Sequence, residues 1–152
     1  MDSLYQFRKM ELKDISFFNL VRNESCLYLH DSNRYTIEES EEWFLKHTPV
    51  FFIVSHDKND IGYFRTSNWE RDSVYIGMDI SCNMRGKGHA QICYPVFMDF
   101  LKDVYNINKF YLRVLKSNER AQHIYRKIGF VIIEETEEDL KMELIYDKRK
   151  KS

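Results

Sequence analysis

Two short stretches place unusual chemistry at close spacing. The first, "MRGKGHA" (Met84–Ala90), puts two glycines and two cations into seven residues, after a run of strand composition and before a run of helical spacing. Gly86 and Gly88 permit backbone torsions that other residues avoid and bring bare amides close to a ligand. The following helix adds its own unsatisfied N–H groups and the positive end of its dipole. Such a turn favours a phosphate; a plain strand-to-helix connection is the alternative, and "GKG" alone does not decide between them. Two nucleotide motifs are excluded. A Rossmann fingerprint needs a small residue where Gln91 stands, and a P-loop needs Ser or Thr after Lys87, where Gly88 stands.

The second stretch is "NERAQHIYRKIGF" (Asn118–Phe130). On a helix, Asn118, Ala121, Gln122 and Tyr125 share one stripe, because spacings of three, four and seven return to the same face. Ala121 leaves room for an extended ligand, Asn118 can cap the helix and bond a ligand amide, and Tyr125 brings a phenol to the ligand's end. Read singly, Tyr125 is more readily a core aromatic with its hydroxyl at the surface.

These stretches need elements to hold them. "LYQFRKM" has strand composition, and "LKDISFFNLVRN" repeats Ile15, Phe18 and Val21 at helical spacing. "YTIEESEEWFLKHT" opens with a capping-box pattern, Thr36 with Glu39, and carries Ile37, Trp43 and Phe44 as an apolar stripe. Val50–Ser55 and Asp60–Ser67 flank "HDKND" as a hairpin. Ser73–Ser81 is a further strand, and the glycine turn leads into a helix with Ala90, Cys93, Phe97, Leu101 and Val104 on one face, kinked at Pro95. Lys109–Leu115 is a strand, "NERAQHIYRKIG" a short helix stopped by Gly129, and "FVIIEE" and "LKMELIYD" are two closing strands.

Composition limits the classes of partner. At 152 residues, with 43% hydrophobic and 15% aromatic residues, the chain reads as one domain over 1–152 with a real core. A net charge of -1 gives no general attraction to nucleic acid or anionic lipid, so an anion site must be built locally. No apolar stretch reaches the roughly 18 residues that cross a bilayer. Cys26, Cys82 and Cys93 form no CxxC pair, and "MDSLYQFRKM" lacks an apolar signal core, so reduced thiols in a cytoplasmic protein are expected. The basic tail "DKRKKS" reads as a solvated end rather than an anion-binding arm.

Taken together, the two motifs resemble the GNAT superfamily of acyl-CoA-dependent N-acyltransferases. That family carries Arg/Gln-x-x-Gly-x-Gly/Ala after a central strand, here Arg85, Gly88 and Ala90, and later Asn-x-x-Ala-x-x-x-Tyr-x-x-x-Gly-Phe, here Asn118, Ala121, Tyr125, Gly129 and Phe130. The resemblance runs from Leu4 to Tyr146. It implies an α+β GNAT fold: a central, mixed, mostly antiparallel seven-stranded sheet flanked by about four helices, in the order β-α-α-β-β-β-α-β-α-β-β. It implies acetyl-CoA as cosubstrate and no metal. The amides of Gly86, Lys87, Gly88, His89 and Ala90, with Arg85, would hold the pyrophosphate, and the backbone of Met78 and Ile80 would bond the pantetheine between splayed strands.

The implied reaction is attack of a neutral amine on the thioester within a ternary complex, with Tyr125 as the acid that protonates the leaving thiolate. Some relatives carry a Glu five residues before the motif Asn; Arg113 stands there, so Asp79 or a water chain must act as base. His89 reads better as a helix-start residue than as a base, and Cys82 as structural. A looser likeness to the RimJ/RimL-type and amino-sugar-nucleotide branches rests on Arg22, Asn23, Trp43 and Phe44. It suggests a nucleotide-linked amino sugar or another small amine as acceptor, with Arg22, Tyr28, Tyr35, Trp43, Arg65 and Trp69 on that side. A protein or peptide N-terminal amine is the second reading, and a silent acyl-CoA-binding domain the third. A monomer or homodimer is expected.

Overall fold

The computed structural model describes residues 4–146, so the basic tail, including Asp147, lies outside the described residues. Eleven main elements follow one another: β1 (Tyr5–Lys9), α1 (Ile15–Glu24), α2 (Ile37–His47), β2 (Phe52–His56), β3 (Asn59–Ser67), β4 (Ser73–Ile80), α3 (His89–Tyr105), β5 (Lys109–Leu115), α4 (Glu119–Ile128), β6 (Val131–Glu135) and β7 (Asp139–Ile145). This is the expected order. The strands form one seven-stranded sheet, β1-β2-β3-β4-β5-β7-β6, antiparallel throughout except for the parallel β4–β5 pair.

Local chemistry accounts for the boundaries. Thr36 Oγ1 accepts from the Glu39 amide at 3.1 Å and Glu39 Oε1 from the Thr36 amide at 2.8 Å, closing the capping box that starts α2. Asp57 and Lys58 both take positive φ, as a tight hairpin turn requires, and join β2 to β3. The run after Met10 begins as a short 3-10 turn over Leu12–Asp14 before α1 proper. α3 continues through Pro95 and ends on Asn106 at φ 62°. Val104, expected on its buried face, is exposed, whereas Cys93, Phe97 and Leu101 are fully buried. The drift of a 3.6-residue helix over four turns carries Val104 off the apolar stripe.

Helices cover both faces of the sheet. On one side α3 and α4 close a large core in which Phe64 of β3 and Phe97 of α3 stack at 3.9 Å between ring centroids. On the other, α1 packs Ile15, Phe18 and Val21 onto Ile53 and Tyr63, with Trp43 of α2 stacked on Phe18 at 5.2 Å.

The β4–β5 pair is short. Their register covers Ser73↔Lys109, Val74↔Phe110 and Tyr75↔Tyr111 and ends there, so Ile76–Ile80 and Leu112–Leu115 diverge. Because Ser81 N donates to Ile61 O on the β3 side, strand alternation turns the peptide groups of Ile80 and Met78 toward the opening.

β3 and β4 approach closely at Gly62. A Cβ built there would lie 2.2 Å from the Asp79 carbonyl oxygen, a backbone atom that cannot swing aside. Gly62→Ala is therefore expected to cost roughly 1–3 kcal/mol, read as a lower urea midpoint with an unchanged slope.

Candidate active site

The glycine turn has the conformation its composition implies. Gly86 and Gly88 sit at φ 75° and 82°, a region that side chains strain to enter, and Gly88 is the residue from which α3 starts. The first-turn amides of α3 have no acceptor within the helix. Lys87 is exposed at the turn, and the Arg120 guanidinium comes within 3.7 Å of where a Gly86 Cβ would be.

Two residues of this stretch are engaged elsewhere. Arg85 turns back to the sheet: its Nε donates to Ile80 O at 3.1 Å, its Nη2 to Ser25 Oγ at 3.0 Å, and its guanidinium lies over the Tyr28 ring. This corrects the expectation that Arg85 adds its charge to the anion site and that the whole Ile80 peptide is free; only the Ile80 amide is. The His89 ring leaves the loop for Tyr5 of β1, whose hydroxyl lies 2.7 Å from Nδ1, and for His56 of β2, 4.8 Å away between centroids. Only the His89 backbone remains at the turn. Cys82 is structural, its amide and thiol both donating to the Glu24 carboxylate.

On α4 the N-cap is as expected: Asn118 Oδ1 accepts from the Ala121 amide at 3.2 Å. Gln122, assigned to the ligand stripe, is buried instead, and its Nε2 donates to Leu115 O and Lys116 O, fastening the helix to the end of β5. Tyr125 packs into the large core, and its hydroxyl accepts from Tyr94 of α3 at 3.3 Å. Burial pushes the Tyr125 phenol up, while the bond from Tyr94 and the charge of Arg65 pull the other way.

Across the opening stands a charged pair. Asp79 of β4 is buried and ion-paired, with Arg65 Nε 3.2 Å from its Oδ2. The Arg65 guanidinium fills the space above Gly77, where a Cβ would fall 2.5 Å from Nη2. Tyr63 of β3 lies beside them. Its hydroxyl is buried next to Asp79 and makes no hydrogen bond of ordinary geometry; that burial, before the charge of Asp79, pushes it well above the usual phenol range.

From this cluster a cavity of about 560 Å³ extends between β3 and the α1–α2 layer. Phe18, Trp43, Phe51 and Tyr63 wall it with aromatic faces, and Asp31, Glu39 and Glu42 bring carboxylates to it. Of the residues expected on the acceptor side, Arg22, Tyr35, Trp43 and Arg65 line this cavity. Arg22 is occupied there, donating to Asn33 O at 3.0 Å and Asp31 O at 2.7 Å, and pairing with the Asp31 carboxylate at 3.4 Å. Asn23 holds the same loop through the Tyr35 backbone. Trp69 is a correction: its indole donates to Thr66 and packs on Tyr105 of α3, in the large core behind the sheet.

The loop over residues 25–36 crosses toward the far strands, where His30 Nε2 lies 3.0 Å from Asp139 Oδ2 at the start of β7. Arg113 faces Asp139 at 3.7 Å. A second, polar cavity of about 280 Å³ opens between Tyr75–Gly77 and Leu112–Arg113, where the strands part, and shares His30 and Arg65 with the first.

Comparison with known proteins agrees with this geometry. The profile of the Acetyltransferase (GNAT) family matches residues 17–130. The chain is 27% identical over 140 residues to the spermidine N(1)-acetyltransferase of Escherichia coli strain K12, covering 84% of this chain and 73% of that one. It superposes with a TM-score of 0.81 on spermidine N-acetyltransferase from Vibrio cholerae in complex with CoA and spermine, at 26% identity over 94% of this chain and 96% of that one. A dodecameric structure of the Vibrio cholerae enzyme matches with a TM-score of 0.78 at 25% identity, covering 97% and 96%.

These relatives correct the RimJ/RimL and amino-sugar-nucleotide assignment, and assemblies larger than the expected monomer or homodimer occur among them. The looser likeness misled because Arg22 and Asn23 hold the 25–36 loop rather than face a diphosphate. Among the described residues, no helix is long and apolar enough to cross a membrane.

The His89 ring is desolvated and faces His56 of β2 and Lys87 of the turn, all of which disfavour its charge, besides the Tyr5 hydroxyl of β1. Its pKa lies below 6.5, so the stability it contributes is full above that pH and declines as pH falls toward the folded value. An NMR titration should place the His89 midpoint below that of an ordinary histidine; a midpoint at or above 6.5 contradicts this.

A glycine turn on a helix start, a gap between parallel strands, a phenol on the later helix and the matching family profile converge: the chain belongs to the Acetyltransferase (GNAT) family, as an acetyl-CoA-dependent N-acetyltransferase.

Proposed function

We propose that the acceptor is a small aliphatic polyamine and that one of its primary amines is acetylated by direct attack in a ternary complex. The observation that carries this is the 560 Å³ cavity, in which aromatic walls and carboxylates meet near Tyr63 and Arg65, with Asp79 directly behind them on β4. Ring faces attract ammonium groups, apolar walls take the methylene stems, and carboxylates hold the distal charges. Of the cations that line it, Arg22 pairs with Asp31 and Arg65 with Asp79, which leaves Glu39 and Glu42 to set against Lys46. The relatives act in the same direction: their named substrate is spermidine, and one is complexed with spermine.

Acetyl-CoA supplies the acetyl thioester. The amides of Gly86–Ala90, with the Lys87 ammonium, take its pyrophosphate; the backbone of Met78 and the Ile80 amide take the pantetheine, which lies against Ala121 below the Asn118 cap. The Tyr63 hydroxyl is the bonding partner for the reactive nitrogen, and Asp79 beside it receives the amine proton. Tyr125 gives its phenolic proton to the departing sulfur.

Release of free thiol from acetyl-CoA, measured against spermidine, spermine, amino sugars, nucleotide sugars and peptides, should be fastest with the polyamines. Release confined to sugars or peptides overturns the acceptor assignment. For the acid, Tyr125→Phe should lower kcat by about 10²–10⁴-fold with little change in acetyl-CoA affinity, and undiminished turnover removes Tyr125 from the role.

A further inference from the structure

We propose that Tyr94 is a positioning residue for the reaction: its hydroxyl aims the Tyr125 proton at the leaving sulfur and steadies the phenolate that forms. This rests on the assignment of Tyr125 as the acid. Tyr94 lies on the second turn of α3 and is 1% exposed. Its ring is fixed edge-on to Phe64 at 5.1 Å and to Tyr125 at 5.4 Å, with Phe130 closing the far side. In such a place phenylalanine would pack as well, without the cost of removing a hydroxyl from water. The hydroxyl's hydrogen bond is to the Tyr125 oxygen, at 3.3 Å, with Tyr94 as donor.

That direction matters. A Tyr125 oxygen that accepts from Tyr94 keeps its own O–H for another acceptor, and the charges of Arg65 and Asp79 act on both phenols. As the N–C bond of the amide is completed, the C–S bond breaks and its electron pair stays on sulfur. The Tyr125 proton then passes to that sulfur. The phenolate left behind accepts the Tyr94 O–H, a bond that strengthens when its acceptor becomes charged. The proton lost by the amine restores Tyr125 by way of solvent, so the cycle consumes none.

The groups around the Tyr125 phenol are Tyr94 from α3, Arg65 from β3 and Asp79 from β4. Of these, Tyr94 and Arg65 favour the phenolate and Asp79 opposes it. Removing the Tyr94 hydroxyl therefore moves the Tyr125 titration upward.

Tyr94→Phe keeps the ring, and an unchanged melting temperature verifies the fold. It should lower kcat about tenfold, the loss of one hydrogen bond to a charged oxygen, while KM for acetyl-CoA stays within about twofold. In the Tyr125→Phe background the same change should have no further effect. In the free protein carrying 13Cζ-labelled tyrosine, Tyr94→Phe should displace the Tyr125 resonance and raise its midpoint. Unchanged kcat with an unmoved midpoint, or a full further loss in the Tyr125→Phe background, overturns the role of Tyr94. Full activity of Tyr125→Phe itself removes the acid assignment, whereas a slow Tyr125→Phe beside a fast Tyr94→Phe removes only the relay.

Discussion

Everything at the site depends on where β4 and β5 stop pairing. Three residue pairs hold the two strands together, and beyond Tyr75 and Tyr111 they part. A parallel pair that separates gives up ladder hydrogen bonds, and buried peptide groups without partners are costly. The protein tolerates this because both strands stay anchored on their outer sides, β4 to β3 over six residue pairs and β5 to β7 over seven. The opening is thus a gap in an otherwise continuous sheet. Across the sheet, charges of one face act on phenols of the other: Arg65 and Asp79 both influence Tyr94 and Tyr125.

The polar groups near the gap divide into two kinds. Arg22, Arg65, Arg85 and Gln122 are paired inside the protein and set the shape of loops and strand ends. Among the described residues, the glycine-turn amides, Lys87, Glu42 and the Tyr63 hydroxyl are not committed in that way. Internal pairing of the arginines removes most of their charge from the cavity between β3 and the α1–α2 layer, because a guanidinium facing a carboxylate at 3.2–3.4 Å presents little net field, and leaves Glu39 and Glu42 against Lys46. A protein of net charge -1 can therefore keep exposed amides and a lysine at one turn and two carboxylates in a separate cavity, with no overall charge favouring either.

Much of this was legible in the sequence, for identifiable reasons. Element order follows from periodicity, and the caps at Thr36, Asn118 and Gly129 follow from short-range rules that tertiary contacts did not override. The glycine turn and the later phenol were readable because each depends on spacing within one element. What escaped were meetings between distant elements. Trp69 and Trp43 look alike in sequence; Trp69, just after β3, packs behind the sheet on Tyr105, and Trp43, on α2, packs in front on Phe18. Arg85 carries charge next to the turn, yet a three-residue 3-10 segment, Cys82–Met84, rotates its side chain toward α1. The donation from Tyr94 to Tyr125 joins residues 31 apart, and the Tyr63 orphan hydroxyl is visible only once burial is known.

The bare position at Gly77 carries an evolutionary corollary. Its missing methyl is the berth of the Arg65 guanidinium, and that berth sets the distance at which Arg65 meets Asp79. Any larger residue at 77 would push the guanidinium aside and change its approach to the aspartate. Positions 65, 77 and 79 are thereby sterically coupled across two strands: a side chain gained at 77 has to be answered by a move of the arginine that the aspartate then feels.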